Sequence, residues 1–255
     1  PLVALPMSLA MTDQSIVATA LPTIGVDLGG IEQISLVVIG YLIAATLAAP
    51  VYGFLGDLWG RRKLLIFAML IFLAASLICA FSVNLMMLVV GRILQGVGGG
   101  GLMALSQALI GETVTPRDRA KYQGYLATVG VTSNAMGPVL GGLLTEHFGW
   151  RAIFLYSLPI GMLAIFLILR LPRRAVRPDP VRFDYRGLAL FGAFVIPMLI
   201  LLDMVQRFDS RDLPVMALLL IVALLSFALL LRTEQRTDRP LLPIDLLRDA
   251  TMWRA

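Results

Sequence analysis

Residues 34–83 read ISLVVIGYLIAATLAAPVYGFLGDLWGRRKLLIFAMLIFLAASLICAFSV. Two apolar runs, 34–56 and 63–83, flank a short insert that carries Asp57, Arg61, Arg62 and Lys63. Each run supplies the roughly 20 residues that a helix needs to cross a hydrocarbon core of about 30 Å. Strands are excluded by the same physics: open β edges cannot sit in lipid, and a continuous apolar run lacks the alternation of a barrel strand.

The pattern repeats outward from this pair. Apolar stretches near 2–22, 34–56, 63–83, 86–110, 122–145, 151–171, 187–205 and 213–232 make eight expected spans. Hydrophobic residues are 58% of the 255 positions and charged residues 15%. Mean hydropathy is +0.87. Such a balance excludes an ordinary soluble domain. The net charge of +5 does not indicate nucleic-acid binding, because the arginines sit between apolar runs and form no basic face. The lone Cys79 excludes a disulfide framework, and the lone His147 leaves no His/Cys metal cluster. No cleavable signal is visible. With Pro1 already beside apolar sequence, a short preceding stretch is expected. A further element is expected beyond the mixed segment Leu246 to Ala255.

Loop charge sets orientation. The second loop holds Arg61, Arg62 and Lys63, and the fourth holds Arg117, Arg119 and Lys121. The sixth holds Arg170, Arg173, Arg174, Arg177, Arg182 and Arg186, and the eighth Arg232, Arg236, Arg239 and Arg248. Odd loops offer only Arg151, Arg207 and Arg211. By the positive-inside rule the even loops and the N-terminus are expected on the cytoplasmic side.

Two charges lie where lipid forbids them. Asp13 falls inside the first span and Arg92 inside the fourth. An ionised group at that depth costs several kcal/mol unless it is paired, hydrated or neutralised. Helix 1 runs outward and helix 4 inward, so a 1.5 Å rise per residue puts both roughly 10–14 Å below the outer face. Tyr41 and Gln95 fall in the same layer. A polar layer shared by helices 1, 2 and 4 suggests a water-accessible cavity, with Tyr41, Gln95 and Asn134 as candidate lining residues. A carboxylate there has a tunable proton affinity, since low dielectric and a nearby guanidinium act in opposite directions. The competing reading is a structural ion pair or a buried Asp capping a helix break.

Helix 4 carries Gly96, Gly98, Gly99, Gly100 and Gly101; helix 5 carries Gly130, Gly137, Pro138, Gly141 and Gly142. Gly96/Gly100 and Gly137/Gly141 have the spacing that lets helices approach closely. Pro138 removes a helix hydrogen bond and permits a bend. These read either as a kinked seam that rocks or as plain membrane-helix packing. A phosphate loop is excluded, since no strand precedes the glycine run and no Gly-Lys-Ser/Thr follows it. In the second loop, Asp57 followed by three cations reads equally as a charge clamp between helices 2 and 3 or as a topogenic loop with a capping Asp.

Taken in order, these motifs resemble the major facilitator superfamily, specifically its fourteen-helix drug–proton antiporters. Gly53, Leu55, Asp57, Gly60, Arg61 and Arg62 are similar to the family's signature between helices 2 and 3, with Leu58 where a basic residue is usual. Asp13 to Val17 with Ala20-Leu21-Pro22 resembles the helix 1 motif, and Leu36 replaces a frequent tryptophan. Arg92 through Gly98 resembles the helix 4 motif, and Gly130 through Gly142 the helix 5 antiport motif. Trp150-Arg151 with Phe154 and Pro159-Ile160-Gly161 is similar to the start of helix 6. Phe183-Asp184 with Gly187 resembles the segment before two extra helices.

The resemblance implies an all-α membrane protein: a six-helix N-terminal bundle (1–171), a basic loop (172–186), two extra transmembrane helices (187–232) and a linker (233–255) toward a C-terminal bundle of the same protein. It implies no enzyme and no cofactor, H+ as coupling ion, and a bacterial inner-membrane location. Partners would be a small-molecule substrate, the lipid bilayer and the C-terminal half, with no nucleic acid. Asp13 would bind the proton and Arg92 would modulate it. Gly53, Asp57, Gly60, Arg61 and Arg62 would form a gate, and Gly130, Gly137, Pro138, Gly141 and Gly142 the antiporter seam. Cargo would be amphipathic or cationic drugs, alternatively a specific metabolite, lipid precursor or siderophore. A non-transporting receptor or assembly subunit is the reading from another class.

Overall fold

A computed structural model describes residues 4–115, 117–170, 183–207 and 210–234. The described residues are helical throughout their regular elements. Contacts divide the chain into two compact units, 1–179 and 180–255.

The first unit begins with α1 (Ala4–Leu28), a 3-10 turn (Ile31–Gln33), α2 (Ser35–Trp59) and α3 (Arg61–Ala80). It continues with α4 (Leu85–Thr113) and α5 (Arg119–Phe148). The expected sixth span is two helices, α6 (Ala152–Leu155) and α7 (Ser157–Leu169), hinged at Tyr156. Local chemistry explains the boundaries. Asn84 starts α4 by accepting a hydrogen bond at 2.8 Å from the Met87 N–H. Gly60, at φ 92°, both ends α2 and starts α3. The segment Gly53 to Lys63 is therefore not the loop that the sequence suggests. It is the last turns of α2 and the first turn of α3, joined at Gly60 alone.

The second unit contains α8 (Tyr185–Gln206), a 3-10 turn (Ser210–Asp212) and α9 (Leu213–Glu234). Asp184 caps α8 through its carboxylate and the Gly187 N–H at 2.8 Å. α8 and α9 pack together, with the Phe194 and Phe227 rings 5.1 Å apart. The expected basic loop and linker fall almost wholly at 171–182 and 235–255, outside the described residues.

The eight expected spans differ in how apolar they are. Among the described residues, six helical segments are long and apolar enough to cross a membrane. α1 and α5 match them in length but not in composition. Their sequences explain this: α1 carries Ser8, Thr12, Asp13, Gln14, Ser15, Thr19 and Thr23, and α5 carries Thr128, Thr132, Ser133, Asn134 and Thr145. These two polar helices pack on each other.

α4 is the wedge of the bundle, between α2 and α3. Its glycines divide by face. A side chain at Gly96 or Gly100 would strike the Tyr41 or Ala45 carbonyl of α2. One at Gly98 would meet the backbone of Phe72 and Ala68 on α3. α5 meets α1 through a stripe of Leu126, Gly130, Ser133, Gly137 and Gly141, all buried. Gly130 faces Met11, Gly137 faces Ser15, and Gly141 faces Ile16 and Thr19. A side chain at Gly142 would meet nothing within 4 Å, so Gly142 stands off that seam, as does the exposed Pro138.

Candidate functional site

Helical periodicity aims two charges at one point. Leu9, Asp13, Ile16 and Ala20 share the buried face of α1. Leu88, Arg92, Gln95 and Gly99 share a buried face of α4. Asp13 is 0% exposed, Arg92 1% and Gln95 0%. The Arg92 Nη1 atom donates to Asp13 Oδ2 at 2.6 Å and to Gln95 Oε1 at 2.6 Å. Gln95 Nε2 donates to Asp13 Oδ1 at 3.0 Å. Both carboxylate oxygens thus accept a hydrogen bond, which is what a charge in low dielectric requires.

α2 and α3 close the site. The Arg92 guanidinium carbon lies 4.3 Å from the centroid of the Tyr41 ring, a cation–π contact. Arg92 Nε points to the Val37 carbonyl at 3.4 Å. From α3, Ser76 Oγ accepts from Gln95 Nε2 at 2.8 Å, and the Cys79 thiol points at Gln95 Oε1 at 3.9 Å. The shared polar layer is therefore real, but the water-accessible layer expected from sequence is closed here. Tyr41, at 1% exposure, and Gln95 pack inside the bundle. Asn134 lies on the exposed side of α5 and does not join them.

Ser76 is the site residue that sequence reading missed. Its hydroxyl donates to the Phe72 carbonyl at 2.8 Å, as a spectator serine in an apolar helix does. The available signal was that Ser76 and Cys79 are three apart, on one face of α3.

The end bearing Arg61 holds a second cluster. Arg61 Nη2 lies 2.7 Å from Asp57 Oδ1, Nη1 donates to the Ala108 carbonyl at 2.6 Å, and Nε lies 3.2 Å from Glu112. Arg62 donates to the last carbonyls of α7, Ile168 at 3.0 Å and Leu169 at 2.5 Å, filling acceptors a helix end leaves open. The clamp thus joins α2, α3, α4 and α7, not only helices 2 and 3. A side chain at Gly53 would meet nothing within 4 Å, so no close helix approach in this cluster depends on that glycine.

At the opposite end, Asp27 accepts from Trp150 Nε1 at 2.8 Å and from Arg151 Nη1 at 3.0 Å. Arg151 also donates to the Ser82 carbonyl at 3.3 Å. These bonds, the indole N–H foremost, hold the Asp27 carboxyl below its ordinary range. Among the described residues no group of His, Cys, Asp and Glu side chains could hold a metal ion.

The model of the Major Facilitator Superfamily matches residues 3–231. The chain belongs to the major facilitator superfamily. This membership agrees with the helical, multi-pass membrane architecture described above. The multidrug transporter protein MdtP of Bacillus subtilis is 31% identical over 248 residues, covering 96% of this chain and 45% of that protein. The riboflavin transporter RibZ of Clostridioides difficile is 34% identical over 239 residues, covering 93% and 51%. The chain spans about half the length of these curated relatives. The solved inward-open xylose transporter XylE of E. coli shares the superfamily fold with a TM-score of 0.60 at 18% identity, over 67% of this chain and 46% of that one.

Proposed function

We propose that this chain is the N-terminal portion of a proton-coupled antiporter that exports small amphipathic or cationic molecules by alternating access. The observation that carries the reading is the buried Asp13–Arg92 pair. A structural ion pair is an expensive way to hold two helices together, since apolar residues of equal volume do so as well or better. A carboxylate that must exchange protons, and a guanidinium that compensates its charge between exchanges, justify the cost. Proton and cargo would then compete, with protonation of Asp13 favouring release on the outside. The Arg61 cluster would lock the basic end, and the α1–α5 glycine seam would rock. The basic even loops support a cytoplasmic N-terminus in a bacterial inner membrane. No cofactor beyond H+ enters this reading.

Similarity to a multidrug transporter supports drug-like cargo. Similarity to a riboflavin transporter favours the second reading, a dedicated metabolite on the same fold. The test of the coupling is Asp13→Asn in the full-length gene product, assayed by ethidium export in everted vesicles under an imposed pH gradient. Loss of gradient-driven export is expected. Uphill export with wild-type pH dependence would end this reading.

A further inference from the structure

The hydrogen atoms around Asp13 can be counted one by one. Arg92 only donates, so the Gln95 atom 2.6 Å from it must be the amide oxygen. The Gln95 nitrogen therefore faces Asp13 and Ser76. Ser76 spends its one proton on the Phe72 carbonyl, so it can only accept from Gln95. Each contact agrees with the next, and the set serves one protonation state. Asp13 Oδ1 meets an amide N–H and Oδ2 meets a guanidinium N–H. A proton on the lone pair engaged at either oxygen would face a donor.

Uptake of a proton at Oδ1 thus calls for the Gln95 amide to turn over and offer its oxygen to the new O–H, and because the turned amide would set its NH2 against Arg92 Nη1, it also calls for Arg92 to part from Gln95. Ser76 and Cys79 suit both orientations, because a hydroxyl and a thiol can each donate or accept. They do not serve both equally. With Asp13 ionised, Ser76 makes two hydrogen bonds, to Phe72 and from Gln95. After turnover its single proton can satisfy the Phe72 carbonyl or the Gln95 oxygen, not both.

We propose that Ser76 is a positioning residue that, together with Arg92, holds the Gln95 amide N–H toward ionised Asp13 and so shifts the pH at which Asp13 takes up its proton. The inference rests on the proton-site reading of Asp13 given above. The other titratable groups facing Asp13 are Arg92 from α4, Tyr41 from α2, Cys79 from α3 and Tyr156 at the α6–α7 hinge. α5 presents Gly130 and Gly137 at this level and carries no titratable side chain between Tyr125 and Glu146.

The test needs no cargo. The full-length protein in detergent is titrated while its infrared carboxylic-acid C=O band is followed, and Asp13→Asn identifies the part of the band due to Asp13. Ser76→Ala is expected to move the Asp13 midpoint to higher pH by roughly half a unit to one unit, the worth of one hydrogen bond. Ser76→Thr keeps the hydroxyl and is expected to titrate near wild type. An unmoved midpoint in Ser76→Ala overturns the inference, and so does an equal shift in both variants, which would mark a packing effect. If Asp13 contributes no titrating band at all, the proton-site reading falls and this inference falls with it. If Asp13 titrates and Ser76→Ala leaves it in place, only the role of Ser76 is lost.

Discussion

The Arg92 guanidinium closes to 2.6 Å on the Asp13 carboxylate although 79 residues separate them, and neither side chain reaches solvent. α1 and α4 are held at that point by charge, while most of the surrounding contacts are apolar: Ile16, Val17, Ala20, Leu88 and Val89 share one buried cluster beside it. The pair sits in the layer where α1 meets α4 and where α2 and α3 both contribute a side chain.

Removing one partner should expose this dependence through pH. Arg92→Ala strands a buried carboxylate, and breaking a buried pair costs about 3–5 kcal/mol. That penalty applies only while Asp13 is ionised. The variant is therefore expected to melt well below wild type at alkaline pH and to approach it as pH falls and Asp13 becomes neutral. Adding Asp13→Asn to Arg92→Ala should recover most of the loss at alkaline pH and remove its pH dependence. Dye-reported melting of the detergent-solubilised protein across pH checks both. A deficit that does not vary with pH would mean that Arg92 stabilises by packing.

The glycines should separate by face. A methyl group at Gly100 would collide with the Ala45 carbonyl of α2, and backbone cannot give way as a side-chain tip can. Gly100→Ala is expected to destabilise by about 2 kcal/mol or more, the range of overpacked cores. Gly142 faces open space within its own bundle, so Gly142→Ala should be neutral or slightly stabilising, by up to about 1 kcal/mol from helix propensity. Melting temperature and membrane yield of the two variants, compared side by side, decide the matter.

The Asp27 link should resist acid. Its carboxyl is held below the ordinary range by the Trp150 N–H and then by Arg151. A depressed folded value contributes stability above the unfolded value of about 3.9, and that stability is lost only as pH falls through the lower, folded one. With every other tryptophan of the full-length protein, Trp59 and Trp253 among them, replaced by Phe, Trp150 fluorescence is expected to stay flat from pH 8 down to about 4. Asp27→Asn should change the emission already at pH 7. A transition near pH 6 in the parent would show that another group governs the link.

Much of the bundle was legible in the sequence because lipid leaves a chain few options. A long apolar run must be helical in a bilayer, and a buried charge must find a partner. That logic marked Asp13 and Arg92 and assigned Tyr41 and Gln95 to their layer. It failed where a residue's role depends on what lies opposite. Ser76 looks like any serine tied to its own helix. Gly53 and Gly142 look like their neighbours, yet face open space. Glu112, 51 positions beyond Arg61, carries no local sign that it lies 3.2 Å from it.

By itself, then, the sequence determined the helical membrane class, the positions of the spans and the presence of one acid and one base that had to be reconciled. Those follow from transfer energies, which act residue by residue. Only the tertiary structure decided that the reconciliation is a direct ion pair shut from water, that α3 supplies the hydroxyl and thiol around Gln95, and that α1 and α5 are the two polar helices packed on each other. Those follow from the direction of side chains across packed helices, and direction is set by contacts distant in the chain.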